Sequence, residues 1–526
     1  MSQIVDVAIV GLGPVGALLA ALLGRVGIHT LVIDRLDDVY PLPRAIGLDH
    51  DIMRTMQNLG LAAAIEPHVT HYRPTEYRGA DDQVIARFDS LAAPWPQGWR
   101  PSYMFDQPPF ERAIRGALKD LPTVDVRLST SLVSYEEFAE HVKLRIRREG
   151  GAEETVSARY LIGCDGGASL VRKTLGVELE SLDFDEPWLV VDARVHADKL
   201  ADLPAVNVQY CDPTRPGTYV IGPGNHRRWE IMLLPGEDPE AMSTKDAIWR
   251  VLRRWLKPGD ADLWRAATYV FHALVARRWR KGRVLLAGDA AHMTPPFMAQ
   301  GMCQGIRDAV GLAWKLQLVL HEKAGDTLLD SYEAERRPHV CATTESAKRL
   351  GRIICELDPD KARDRDCRLL AERGDPPAVQ IRQDLVPPLS GGALMSNQGA
   401  PAGWRFPQPR VVTADGDVLL DDLTGARFRL VLAPQFEIAE TPAAMSDLLI
   451  RLDAVVVRMA TRGVSRPVGA QALEIVETEG VLAQWFERHG ALAALVRPDH
   501  YVFGVACNTG SLEAVALAAA QSLHLA

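Results

Sequence analysis

A chain of 526 residues with 47% apolar and 24% charged side chains, 41 glycines and 34 prolines is a folded protein of two or three domains, not a disordered or fibrous one. A formal net charge of −9, with runs such as Arg145-Ile146-Arg147-Arg148 balanced by acidic neighbours, excludes the broad basic surface that nucleic-acid binding needs. The seven cysteines form no C-x-x-C pair and no zinc-like spacing, so no metal is expected and a reducing cytoplasm is the expected location.

The first element is a β-branched apolar run, Val5 to Val10, followed at once by Gly11-Leu12-Gly13-Pro14-Val15-Gly16, a match to G-x-G-x-x-G. The pattern predicts a buried parallel strand, then a helix over Val15 to Val26 with Pro14 in its first turn and Gly27 at its stop. A second strand, Thr30 to Ile33, closes on Asp34. In a dinucleotide-binding βαβ unit Gly11 permits the tight turn, Gly13 lets backbone approach a pyrophosphate and Gly16 lets helix pack on strand. The helix N-terminus offers free N–H groups to the anion, and Asp34 accepts from ribose hydroxyls. No basic segment precedes the apolar stretch 7–24 and Gly13-Pro14 interrupts it, so neither a targeting segment nor a membrane span is expected. The unit by itself leaves FAD and NAD open.

His68 and His71 stand three apart without a third ligand and predict no metal site. Tyr160 to Arg172 reads as a strand ending in Asp165-Gly166, a turn and a basic helix start. Residues 181–274 alternate in strand fashion, as in Trp188 to Val195 and Trp229 to Leu234. Gly282 to His292 is a buried strand ending in Gly288-Asp289, where a carboxylate can hold a polyol hydroxyl; Pro295-Pro296 and Gly301 follow. His292 reads as structural, bonding a nearby carbonyl. Pro387 to Pro409 is dense in proline and glycine and marks a linker. The last stretch lacks C-x-x-C, so no redox chemistry is expected of it.

The three segments carrying Gly11-Leu12-Gly13-Pro14-Val15-Gly16, Asp165-Gly166 and Gly288-Asp289, in this order and spacing, resemble the FAD-dependent aromatic hydroxylases, or group A flavoprotein monooxygenases. Four further stretches are similar to the 3-(3-hydroxyphenyl)propionate hydroxylase branch of that family: Pro43-Arg44-Ala45-Ile46-Gly47-Leu48-Asp49, Gln107-Pro108-Pro109-Phe110-Glu111, Arg278-Trp279-Arg280-Lys281-Gly282-Arg283 and Ala299-Gln300-Gly301-Met302-Cys303-Gln304-Gly305-Ile306-Arg307-Asp308. The Met302-Cys303 pair points to the branch, while Ala299 stands where the family usually has glycine.

The fold this resemblance implies is α/β: a Rossmann-like FAD-binding domain, discontinuous over residues 1–180 and 275–390, with an inserted substrate-covering sheet over 181–274 and a thioredoxin-like C-terminal domain over 410–526. That last domain would serve as a homodimer contact or a structural brace. Implied cofactors are FAD, with NADH or NADPH as co-substrate; no membrane or nucleic-acid partner is implied. Carried over by motif, Asp165 is shared between FAD and NAD(P)H handling and Asp289, after Gly288, holds the ribityl chain. Arg44 lies near the FAD phosphates or the ring's access path, and Gln107 contacts the ribityl chain. Gly301 and Met302 give N–H groups to the flavin pyrimidine edge, at a helix expected from about Gly305. Pro14, Val15, Arg35 and Pro296 complete the expected cofactor set.

The implied reaction inserts one oxygen of dioxygen into a phenolic ring ortho to its hydroxyl, on 3-(3-hydroxyphenyl)propionate or a related aromatic acid in aromatic catabolism. A phenol of pKa near 10 costs about 4 kcal/mol to ionise at pH 7, and no residue stands out as the base. Ile46 lies close to where some phenol hydroxylases place an acid. Tyr210, Tyr219 and His226, and Arg194 and Arg227 for a carboxylate, fall in the expected covering sheet, where packing or surface roles explain them better than contact with a substrate. Alternatives are a hydroxylase of another phenol or polyketide-type aromatic, a halogenase or reductase of the same fold, and a non-catalytic flavin sensor. The Trp-x-Trp-x-Ile-Pro halogenase signature is absent.

Overall fold

The computed structural model describes residues 4–374, 378–395, 401–436, 441–469 and 471–525. Its first layer is a parallel sheet in the order Val124–Arg127, Thr30–Ile33, Val5–Val10, Glu153–Gly163 and Val284–Leu286. Thr30–Ile33 and Val284–Leu286 are buried on both faces, as are the carboxyl ends of Val5–Val10 and Glu153–Gly163, whereas the edge strand Val124–Arg127 is not. The opening helix spans Pro14–Arg25, buries Ala17 through Ala21 and lies against the long helix Gly301–Leu320. Close packing here depends on two glycines. A Cβ on Gly16 would fall 1.9 Å from the Gly11 carbonyl oxygen, and Gly11 itself sits at φ +102° with the Cys164 carbonyl 2.4 Å from its missing Cβ. An antiparallel meander, Thr130–Glu137 and Val142–Arg148, extends from Glu153–Gly163.

The second layer is a nine-stranded sheet in the order His292–Met293, Ala261–Ala276, Leu179–Val195, His226–Met232, Gly217–Ile221, Asn207–Tyr210, Thr75–Arg78, Val84–Asp89 and Gln380–Ile381. It therefore takes strands from three separated parts of the chain. The two longest, Leu179–Val195 and Ala261–Ala276, run antiparallel from Leu179↔Ala276 to Val195↔Ala261. One face buries Leu189, Val191, Trp229 and Ile231 against Ile248 and Leu252 of the helix Lys245–Leu252. The other face looks toward the first layer.

A six-stranded sheet forms the last unit, in the order Arg466–Gly469, Ala472–Ile475, Val455–Met459, Arg429–Leu432, Ala493–Val496 and Val502–Ala506. Helices Ala443–Leu452, Val481–His489 and Thr509–Ser522 pack on it. It shares its core with the first domain, where the Phe428 ring meets Trp314 edge-on at 5.5 Å. The proline-rich stretch 387–409 is tied down: Gly403 N–H donates to the Val502 carbonyl at 3.0 Å and Phe406 N–H to the His500 carbonyl at 2.8 Å. Its residues 396–400 lie outside the described residues. Among the described residues no helix is long and apolar enough to cross a membrane, and no cluster of three metal-binding side chains occurs.

Candidate functional site

A cavity of about 360 Å³ opens between the two layers. Its first wall is made by the carboxyl ends of the parallel strands and the start of the opening helix, where Gly13, Pro14, Val15, Cys164, Gly166, Ala287, Gly288 and Asp289 line it. Open sheets bind ligands at this edge. Gly13 caps the helix without any side-chain bond, and a Cβ built there would meet nothing within 4 Å. The first N–H groups therefore face open space, which suits a pyrophosphate. Asp289 projects its exposed carboxylate here with no partner among the described residues, as a polyol acceptor should. These features fit a dinucleotide that carries a polyol chain.

Of the residues singled out from sequence, Gly13, Pro14, Val15, Arg44, Gln107, Gly288, Asp289, Pro296, Gly301 and Met302 all line this cavity. Gly11 and Gly16 stand directly behind it. The Asp34 carboxylate accepts from Leu12 N–H at 2.6 Å and Leu36 N–H at 2.8 Å, fixing the glycine turn from the side. Arg35 is exposed and outside the lining. Asp165 caps the helix Leu170–Leu175, accepting from Ser169 Oγ at 2.5 Å, Leu170 N–H at 2.7 Å and Val171 N–H at 3.1 Å; its neighbour Gly166 is the one that reaches the cavity. Gln107 Oε1 accepts from Ala45 N–H at 2.8 Å, holding the 44–46 loop in place.

Two buried ionic networks fix the far wall. The helix expected from about Gly305 begins at Gly301, because Gln300 already has helical backbone. Asp308 on this helix accepts from Gly288 N–H at 3.0 Å, bonds His292 Nε2 at 2.7 Å and accepts from Arg336 Nε at 2.8 Å. His292 is thus structural but bonds a carboxylate, not a carbonyl. Burial pushes the Asp308 carboxyl up, yet His292 and Arg336 outweigh it and hold it below its ordinary range. Arg307 joins Asp51 at 2.9 Å, Asp49 at 2.7 Å and Gln300 Oε1 at 2.6 Å. The 299–302 turn is thereby clamped to the strand Gly47–Asp49. Val15 wedges between Gly288 and Gly305, whose missing Cβ atoms would lie 3.0 Å and 2.6 Å from its methyl.

The covering sheet supplies the remaining wall through alternate residues: Thr75 and Tyr77, Asn207 and Gln209, Thr218 and Val220, Arg228 and Glu230. Glu230 pairs across to Thr218, Thr218 to Gln209 and Gln209 to Tyr77, so one polar row crosses four strands. Thr218 Oγ1 donates to Gln209 Oε1 at 2.6 Å. Arg228 forks onto Asp192 at 2.7 and 3.1 Å, so its charge is matched. Burial pushes the Glu230 carboxyl up, and Arg228 3.9 Å away offsets this only in part.

None of the sheet residues picked from sequence lines the cavity. Tyr210 accepts from Trp255 Nε1 at 3.0 Å and Tyr219 packs on Trp229, both on the opposite face. Arg227 donates to the His226 carbonyl. His226 bridges Asp106 and Asp192 at 2.8 Å each, and Arg194 pairs with Asp106 at 2.9 Å. For Tyr210, Tyr219 and Arg227 the residues that face inward sit one place away in the strand, a shift that the alternation Asn207-Val208-Gln209-Tyr210 could have signalled, whereas His226 shares the face of Arg228 and Glu230 but is engaged by Asp106 and Asp192.

A nucleotide-binding strand edge continuous with a polar sheet face is the arrangement of a flavin enzyme that works on a small ring. The chain belongs to the FAD-dependent aromatic hydroxylases, flavoprotein monooxygenases built on the FAD binding domain, whose family model matches residues 4–347. The model of the HcaD C-terminal domain matches residues 403–522. The chain is 38% identical over 520 residues to the probable NADH-specific resorcinol 4-hydroxylase of Rhodococcus jostii (strain RHA1), covering 97% of this chain and 94% of that one. It is 34% identical over 514 residues to the 3-(3-hydroxy-phenyl)propionate/3-hydroxycinnamic acid hydroxylase of Escherichia coli (strain SMS-3-5 / SECEC), covering 95% and 92%. Its fold matches that of aklavinone-11 hydroxylase, solved with FAD and aklavinone, at a TM-score of 0.79 and 23% identity over 99% of this chain and 100% of that one.

Proposed function

We propose that this enzyme uses NADH or NADPH to insert one oxygen of dioxygen into a phenolic ring, ortho to its hydroxyl, with 3-(3-hydroxyphenyl)propionate or a related aromatic acid of aromatic catabolism as substrate. The observation that carries this reading is the single cavity running from Gly13 and Asp289 to the polar row Glu230, Thr218, Gln209 and Tyr77. Bound FAD supplies the hydride acceptor and the oxygen activation. The chain's part is to hold it and to orient the ring. On this reading Gly11, Gly13, Pro14, Val15 and Gly16 with the helix N-terminus hold the pyrophosphate, and Asp34 with Arg35 the ribose end. Asp289, Gln107 and the Gly288 turn hold the ribityl chain, while Arg44 and Asp165 flank the phosphate and nicotinamide approach. Pro296, Gly301 and Met302 would lie beside the ring, where N–H donors and a positive helix end would stabilise negative charge.

The covering sheet excludes water, and its inward polar row hydrogen-bonds the phenol. Residues 1–180 with 275–390, 181–274 and 410–526 are the three domains. The strand order of the last, with parallel Arg429–Leu432 and Val455–Met459 and antiparallel Ala493–Val496 and Val502–Ala506, supports a thioredoxin-like fold acting as a brace or homodimer contact in a cytoplasmic protein. A neutral diphenol is a second reading, favoured by the resorcinol hydroxylase relative at 38% identity.

A panel of phenolic acids and neutral phenols, assayed with each nicotinamide and scored for hydroxylated product, tests both. Catechol formation from the acid supports the first reading. Product from resorcinol alone moves the assignment to the second, and product from no phenol sinks both.

A further inference from the structure

The two walls of the cavity carry three arginines, and their surroundings differ. Arg228 is forked onto Asp192. Arg44 is exposed over the Tyr40 ring. Arg382 is half-buried, and no carboxylate lies within ion-pair distance of it among the described residues. It follows the edge strand Gln380–Ile381, whose parallel pairing with Phe88 and Asp89 delivers its side chain to the sheet end of the cavity. Its Nη2 donates to the Met298 carbonyl, and its guanidinium carbon lies 5.3 Å from the centre of the Tyr72 ring. Its Nε is buried and has no hydrogen-bond partner among the described residues.

A guanidinium that lines a largely apolar cavity without a carboxylate beside it is stabilised by a ligand that brings one. The groups around it suit an anion at the end of an apolar body. Tyr72 Oη and Thr75 Oγ1, 2.5 Å apart, stand beside the guanidinium, and Tyr77, Phe88, Leu350 and Leu385 line the cavity next to them. Burial pushes the Tyr72 hydroxyl up, outweighing Arg382, so it stays protonated and able to donate. Glu230, at the other end of the polar row, lies about 14 Å across three strand spacings from the Tyr77 strand, far enough to seat an aromatic ring between acid and base.

We propose that Arg382, assisted by the Tyr72 hydroxyl, is the anchor for a carboxylate on the aromatic substrate and thereby selects a phenolic acid over a neutral phenol. A planar guanidinium presents paired N–H donors along its edges, the arrangement a carboxylate accepts best. This rests on the phenol-hydroxylase reading above, and it decides between the two substrate classes that reading leaves.

The test uses the FAD-loaded enzyme and follows the visible absorbance of its flavin as 3-(3-hydroxyphenyl)propionate or the matching propanamide is titrated in. The wild type should bind the acid more tightly. Arg382→Gln should raise the acid's Kd about 10- to 100-fold and leave the amide within about twofold, and Arg382→Lys should fall between. Flavin content and Tm of both variants should match the wild type. Equal weakening of acid and amide, no weakening of the acid, or a wild type that binds the acid no better than the amide overturns the anchor. Product analysis with the same compounds and resorcinol is a separate readout. Absence of any hydroxylated product there counts against the hydroxylase reading, whatever the titrations show.

Discussion

Arg405 places Nη2 2.7 Å from Asp51 Oδ2, the same oxygen that Arg307 Nε holds at 2.9 Å. Through Arg307 this pair reaches Asp49 and Gln300, and so the turn that lines the cavity at Gly301. A residue at the edge of the C-terminal unit is therefore joined to the 299–302 turn of the cavity through two ion pairs and one hydrogen bond. Arg405→Ala should cost about 2 kcal/mol of stability and weaken FAD retention several-fold, measured as flavin fluorescence released on dilution. Unchanged retention at lowered Tm would show that the brace acts on stability alone.

Cofactor retention should also depend on Asp289 and Gly13. The free Asp289 carboxylate is a hydrogen-bond acceptor aimed into the cavity, and Gly13 leaves open the space into which a branched side chain would project. Asp289→Ala and Gly13→Val should each raise the FAD Kd about tenfold or more, read from the flavin-to-protein absorbance ratio after gel filtration. Full occupancy in folded variants would contradict the assignment.

Ala299 adopts φ +51°, in the left-handed region, and its methyl would lie 2.5 Å from a Cβ on Gly47. Ala299→Gly removes backbone strain of about 1 kcal/mol and should raise Tm. Gly47→Ala alone overpacks the contact at a cost of about 1–3 kcal/mol. Since no other atom lies within 3.8 Å of that position, the double variant should recover most of the loss. Additive behaviour in denaturant titrations would contradict the contact.

Acid stability should be governed in part by Glu335. Burial pushes its carboxyl up, but Arg497 at 2.8 Å and Lys315 at 2.7 Å outweigh it and bring it from 4.5 to about 2. A depressed carboxyl stabilises the fold above its ordinary value and loses that contribution as pH falls through its folded one. Glu335→Gln should therefore cost about 3 kcal/mol at pH 7, and its deficit should shrink between pH 4.5 and about 2. A deficit that does not change over that interval would contradict the assignment.

The first wall of the cavity was legible because its residues are set by local spacing: the glycines of the first turn, Gly288-Asp289 and Gly301-Met302 all line or stand behind the cavity. Asp165 belonged to a readable motif too, yet its carboxylate is engaged at a helix start. The substrate wall was harder to read. Tyr210 and Tyr219 attract attention as chemistry-bearing residues, but a strand sends neighbours to opposite faces, and burial on both faces hides which one meets the cavity. Arg382 was beyond reach, because its placement follows from a two-residue strand pairing with a segment nearly 300 positions earlier.

The nine-stranded sheet has a consequence for how such enzymes diverge. Its inward residues come from Thr75–Asp89, from the long insertion and from the Gln380 edge. Transplanting residues 181–274 into a relative would carry Arg228 and Glu230 but leave Tyr77 and Arg382 behind. Ligand preference in this architecture is not a cassette. It is inherited from three stretches of chain at once, so a new preference must arise by substitutions scattered across them.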